Sequence, residues 1–161
     1  MILKTDLKKI GFGGGCHWCT EAVFQAVSGV NKVEQGFITS TAFPENFSEA
    51  VIVHFDPKIT SLFHLTEIHL LTHSSSSNHN LRERYRSAIY TYSKSQHLEA
   101  KKILRLIQAA QTEKIITQIL PFGSFKPSPD EFKNYYLEDP EKPFCKKYIK
   151  PKLNMLKKLE R

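Results

Sequence analysis

Two cysteines three residues apart, Cys16 and Cys19, follow a run of glycines in the string GGGCHWC. Glycines before a helix start leave amide N–H groups free to face a ligand, and a cysteine at that position sits at the positive end of the helix. There the macrodipole favours thiolate over thiol, and thiolate is the nucleophilic form. Cys19 lies on the same helical face, near enough to close a disulfide without unwinding the turn. The pattern therefore points to thiol redox chemistry. Three plainer readings compete. Zinc wants four ligands, and only Cys145 and scattered histidines remain to complete a set. A buried structural cysteine gives the glycine run no purpose. A phosphate loop would end in Gly-Lys-Ser/Thr, which is missing.

Composition narrows the setting. With 161 residues and 40% hydrophobic side chains the chain has the size of one domain, expected to span 1–161 with a basic tail at 146–161. Its opening, MILKTDLKKIGFGGG, lacks the apolar stretch of a secretory signal, so a soluble cytoplasmic protein is expected. Three cysteines are odd in number and too few to staple a domain, which fits a reducing compartment. The net charge of +7 lies wholly at the end: residues 142–161 carry 8 Lys and Arg against 1 Asp and Glu, while the rest of the chain balances at 15 against 15. Such a block reads as a solvated, partly mobile face before it reads as a grip on phosphates, so neither nucleic acid nor membrane is expected as a partner.

The elements that must hold Cys16 come from hydrophobic spacing. Residues 8–13 read as a strand running into the glycines, and 17–28 as a helix with Trp18, Ala22, Val23, Ala26 and Val27 at helical intervals. After a turn at Gly29, strands are predicted at 32–39 and 49–55, joined by a loop rich in Pro, Asn and Ser. A helix at 60–72 has Leu62, Phe63, Ile68 and Leu71 as its predicted inner face. A strand at 86–92, a helix at 95–111 with Leu98, Ile103, Leu104, Ile107 and Ala110, and a strand at 115–120 follow. The order β-α-β-β-α-β with added elements predicts an α+β fold, a ferredoxin-like two-layer sandwich.

The string GFGGGCHWCTEAVFQAVSGVNKVEQGF resembles the active-site opening of the A-type peptide methionine sulfoxide reductases, whose signature is Gly-Cys-Phe-Trp-Gly. Further likenesses follow in order. SEAVIVHFDP resembles the family's Gly-His-Ala-Glu segment, which puts Glu49 on its catalytic glutamate. RYRSAIY resembles Gln-Tyr-Arg-Ser-Ala-Ile-Tyr, which puts Tyr85 on its active-site tyrosine. FKPSPDEFKNYYLEDPEKPFC is similar to its Phe-Tyr-x-Ala-Glu region and later Tyr-Cys, ending at Cys145.

This resemblance implies reduction of methionine S-sulfoxide, an oxidative-stress repair reaction. A soft nucleophile attacks the sulfoxide sulfur while an acid protonates the departing oxygen. Cys16 would attack, with Glu49 and Tyr85 holding the oxygen. A carboxyl can deliver a proton only from a desolvated site, which an apolar strand can supply. Trp18 would form the flat wall that receives the substrate methyl, beside His17 and Asn80. Cys16 would be left as sulfenic acid and condense with a second thiol. Cys145, at the position of a recycling cysteine, is expected to resolve first and Cys19 second. Thioredoxin or another dithiol would reduce the product, with no tightly bound cofactor and no metal, in a monomer.

Several positions depart from the family pattern. His17 stands for its phenylalanine, which adds a titratable ring beside the thiolate. Cys19 stands for its glycine, Asn80 for an aspartate, and Arg82, Glu83 and Arg84 for Gly-Thr-Gln. The segment between Gly36 and Glu49 is shorter than the family's and lacks a second oxygen-binding tyrosine. Two other functions stay open on the residues alone: disulfide exchange or sensing through Cys16 and Cys19, and a non-enzymatic module using the basic tail.

Overall fold

Alternation with a period of two decides which way each strand faces. In β1 (Lys8–Gly13), Ile10 and Phe12 point to one side, while Gly11 and Gly13 point to the other. Phe12 stacks on Phe24 of α1 (His17–Gln25), ring centroids 4.7 Å apart, so the first strand and the first helix lock together directly. The same helix-facing layer takes Val51, Val53 and Phe55 of β3 (Phe43–Phe55) and Ile89 of β4 (Ala88–Thr91). The opposite faces, with Ile38 of β2 (Val30–Ser40), Ala50, Ile52, Ala88 and Tyr90, form a second core with Leu120 of β5 (Gln118–Pro127). The computed structural model describes residues 7–73 and 86–160.

These strands close on themselves in the order β1-β3-β2-β5-β4. The first two are parallel with β3 inserted between them, each pairing antiparallel with it. Strands β3 and β4 flank β1 in the same way, so two split βαβ units interlock. The mixed helix and strand content expected from the sequence is present, but the two-layer sandwich is corrected to a five-stranded barrel. The reason is β5. Its first half runs parallel to β4, its second half antiparallel to β2, and it therefore zips both free edges.

Boundaries moved where pairing overrode local signals. The loop expected between the strands at 32–39 and 49–55 is a hairpin with only Thr41 and Ala42 between paired residues, Ser40 opposite Phe43. Pro44 is tolerated because β1 pairs with β3 only from Ala50 onward, leaving this stretch an edge on that side. The last strand starts at Gln118 rather than 115 and runs through PFGSFKP. The turn at Gly29 stands, with φ 94.

Helix α2 (Leu62–Thr72) is capped by Ser61, which accepts from His64 N–H at 3.0 Å. Its buried side is Leu62, Leu65, Ile68 and Leu70, whereas Phe63 and Leu71, expected inside, are exposed. It packs against both α3 (Lys94–Ala109) and α5 (Lys150–Leu159), so no single stripe describes it. In α3 the inner residues are Ala100 and Ile103, and Leu98 is exposed. The basic block expected as a mobile tail is instead a π-helical turn (Cys145–Ile149) leading into α5, anchored by Cys145, Ile149 and Leu156. A 3-10 turn (Asp130–Phe132) and α4 (Tyr135–Glu138) lead into it. No helix among the described residues is long and apolar enough to cross a membrane.

Candidate active site

Cys16 is the cap residue of α1, with φ −58 and ψ 127, and its carbonyl accepts from Cys19 N–H at 3.1 Å and Thr20 N–H at 3.2 Å. The glycine loop feeds it in. Gly14 has φ 148, and a Cβ there would meet the His73 ring at 2.5 Å, so only glycine lets the loop pass over that ring. Below it, His69 Nε2 donates to Gly13 O at 2.7 Å, and His73 stacks on His69 at 4.1 Å. The loop is thus seated on two imidazoles.

The N–H groups of the first helical turn face two acidic groups, Cys19 N–H doing so while it also bonds the Cys16 carbonyl. His17 N–H donates to Glu49 Oε1 at 3.3 Å. Trp18 N–H and Cys19 N–H serve the Cys16 sulfur. A hydrogen bond from the Cys19 thiol is the largest influence on Cys16, and together with these amides it lowers the thiol to about 7 against burial and the Glu49 charge, which push upward. Cys19, as donor in that bond and buried besides, is pushed far up and keeps its proton. The pair is asymmetric: a partly exposed thiolate beside a buried thiol.

Glu49 lies on the helix-facing side of β3, 3% exposed. His17 Nε2 is 3.4 Å from its Oε1. The other ring nitrogen, Nδ1, lies 3.1 Å from Gly36 O, and since a carbonyl only accepts, that nitrogen carries the proton. Phe37, paired with Glu49 in register, meets the His17 ring edge-on at 5.3 Å.

Trp18 lies flat on Tyr135, centroids 4.1 Å apart and planes 4° from parallel, with Phe144 edge-on at 5.5 Å. Its wall is therefore an aromatic stack and not a lone indole. Cys145 is fully buried in a cluster with Cys19, Ala22 and Ile149, its thiol donating to Asp139 O at 3.5 Å, and burial pushes it up. All three cysteines are free thiols.

Of the residues singled out in the sequence, Cys16, His17, Trp18, Cys19, Glu49 and Cys145 come together. Tyr85 and Asn80 lie outside the described residues, as do Arg82, Glu83 and Arg84. The chain re-enters at Arg86, whose N–H donates to Ser48 Oγ at 2.7 Å, one residue before Glu49. Sequence reading missed Glu21. It is 2% exposed, accepts from Gln35 Nε2 and from Asn134 N–H, both at 3.1 Å, and its carboxyl is pushed up by burial. It pins the start of α4, and with it Tyr135, onto α1, the helix that Cys16 caps. An acidic residue directly before the apolar triplet Ala22, Val23 and Phe24 was the available signal.

A thiolate at a glycine-fed helix tip, a buried carboxyl beside it and two further thiols define a cysteine-dependent oxidoreductase site. The family model described as peptide methionine sulfoxide reductase matches residues 8–161. The chain is 33% identical to the peptide methionine sulfoxide reductase MsrA of Pasteurella multocida (strain Pm70), over 88% of this chain and 89% of that one. Among solved structures it resembles methionine sulfoxide reductase A of Corynebacterium diphtheriae, with TM-score 0.71 and 26% identity, covering 86% of this chain and 78% of that one. It also shares the fold of Mxr1 from Saccharomyces cerevisiae, solved in complex with Trx2, with TM-score 0.65 and 23% identity, covering 84% of this chain and 88% of that one. The chain belongs to the peptide methionine sulfoxide reductase family, oxidoreductases that act on sulfur.

Proposed function

We propose that this chain reduces methionine S-sulfoxide through Cys16, and the observation that carries the reading is the lowered thiol placed beside a buried carboxyl. The thiolate of Cys16 attacks the sulfoxide sulfur as Glu49 and Tyr85 bind the oxygen and deliver its proton. Methionine departs, and Cys16 holds the oxygen as sulfenic acid. Trp18, stacked on Tyr135, receives the methyl, and His17 and Asn80 complete the substrate-binding set.

Cys19 then loses its proton and condenses with the sulfenic sulfur, expelling water. This inverts the expected order of the two resolving thiols, because Cys19 already donates to Cys16 whereas Cys145 is enclosed behind it. Exchange with Cys145 follows, freeing Cys16. A dithiol such as thioredoxin restores the thiols, in keeping with the Trx2 complex of the yeast protein. On this reading residues 1–161 act as one unit, a cytoplasmic monomer with no tightly bound cofactor or metal. Incubation with dithiothreitol and separated epimers of a methionine sulfoxide peptide tests it: the S form should be consumed and the R form left, and Cys16→Ser should be inert. Turnover of an insulin disulfide with both epimers untouched would favour disulfide exchange instead.

A further inference from the structure

The aromatic wall beside the nucleophile does not end at the site. Trp18 lies on Tyr135, Tyr135 meets Phe144 edge-on at 5.8 Å, and Phe144 meets Tyr148 at 4.9 Å. Tyr148 is 47% exposed, so the row reaches solvent. Two cations rest on it: Lys142 Nζ lies 4.1 Å from the Tyr135 ring centre and Lys147 Nζ 5.2 Å from that of Tyr148. Among the described residues neither forms an ion pair, whereas Lys146 and Lys150 are tied to Glu141 at 3.0 and 3.3 Å. Glu160, the one carboxylate side chain in residues 142–161, is held by His64 at 2.7 Å. The ridge is therefore aromatic along its length and carries two ammonium groups outside any ion pair among the described residues, with the exposed Glu138 and Asp139 on the segment between Tyr135 and Phe144.

A protein substrate must leave the site across the surface that surrounds Cys16. An extended chain advances about 3.3–3.6 Å per residue, so positions roughly two to five from the oxidised methionine can cross these rings. Side chains with an apolar stem and a carboxylate tip suit a floor of rings bearing ammonium groups.

We propose that the ridge from Trp18 to Tyr148 is a docking surface for substrate polypeptide, selecting oxidised methionines flanked by Asp or Glu through Lys142 and Lys147. The inference rests on the sulfoxide reductase reading and names its preferred macromolecular substrate. It commits to substrate over reductant because the row starts at the indole two residues from the nucleophile, where the substrate methyl is received.

Two peptides with a central methionine S-sulfoxide, one flanked by Glu and one by Lys, should be compared with dithiothreitol as reductant and free methionine S-sulfoxide alongside. The acidic peptide should have about fivefold higher kcat/KM, as expected for a small number of exposed charge pairs. That ratio should fall towards unity as salt is raised from about 20 mM to about 0.5 M. Lys142→Gln combined with Lys147→Gln should abolish the ratio, a readout that a general loss of folded protein would leave unmoved. Equal kcat/KM for the two peptides, or a ratio insensitive to salt, overturns the proposal while turnover of free sulfoxide leaves the chemistry standing. If the peptides are equal and instead the KM for thioredoxin rises with salt and with the lysine changes, the ridge serves the reductant and the proposal fails. Absence of turnover on every sulfoxide sinks both readings.

Discussion

One residue grips the Glu49 carboxyl twice: the His17 ring nitrogen Nε2 lies 3.4 Å from Glu49 Oε1, and the His17 backbone N–H donates to the same oxygen at 3.3 Å. The carboxyl is fixed to the first turn of the helix that Cys16 caps. Two effects of Glu49→Gln should move in opposite directions. Removing the carboxyl proposed to bind and protonate the departing oxygen should cut kcat by about 10²–10⁴. Removing a negative charge that pushes Cys16 up should make the thiol more acidic, so its alkylation by iodoacetamide at mildly acidic pH should speed up. A parallel fall in both rates would place Glu49 in the scaffold and not in the chemistry.

Cys16 is nucleophilic only as thiolate, so its alkylation should rise with pH around a midpoint near its value of about 7. The largest influence holding it there is the Cys19 thiol. Cys19→Ala should therefore move the midpoint upward towards the ordinary thiol value of about 8.5 and slow alkylation at neutral pH. An unmoved midpoint would assign the acidity to the helix amides alone.

The three thiols also set a burst size. If the proposed relay operates, then without reductant the exchange of a Cys16–Cys19 disulfide with Cys145 should free Cys16 to reduce a second equivalent of sulfoxide. Cys145→Ser should stop after the first equivalent, which rapid-quench counting of methionine would detect. Equal bursts would remove Cys145 from the relay.

Glu21 holds Gln35 and Asn134 from a buried position. Glu21→Ala should leave both donors without their acceptor and lower stability by roughly 1–3 kcal/mol, measured by urea unfolding. Because the pinned segment carries Tyr135, the KM for sulfoxide should rise as well. A stable variant with normal KM would show that Tyr135 is held by its stack on Trp18 alone.

How far these features could be read in advance depended on their range. Ile10 and Phe12, and Val51 and Val53, follow local patterns, and their strands are present, β1 at the expected 8–13 and β3 extended back from the expected 49–55 to Phe43. Closure of the barrel depends on β5 pairing with strands distant in sequence, and no local pattern encodes it. Phe63 and Leu71 were misplaced because α2 is packed from more than one side. In the basic block, Cys145, Ile149, Leu153 and Leu156 recur at helical spacing, but the density of lysines hid that stripe. Motif order put Cys16, Cys19 and Glu49 forward as candidates by residue type, and the fold brings the three together. That the Cys19 thiol donates to Cys16 was not legible, because it is a matter of packing.

The most direct test is a single exposure of the reduced protein to a methionine S-sulfoxide peptide without reductant, quenched early, with methionine counted and cysteine linkages mapped by mass spectrometry. Methionine should appear together with a Cys16–Cys19 crosslink, and Cys16→Ser should yield neither. Methionine formed by Cys16→Ser, or intact thiols in the wild type with the sulfoxide unchanged, would contradict attack by Cys16.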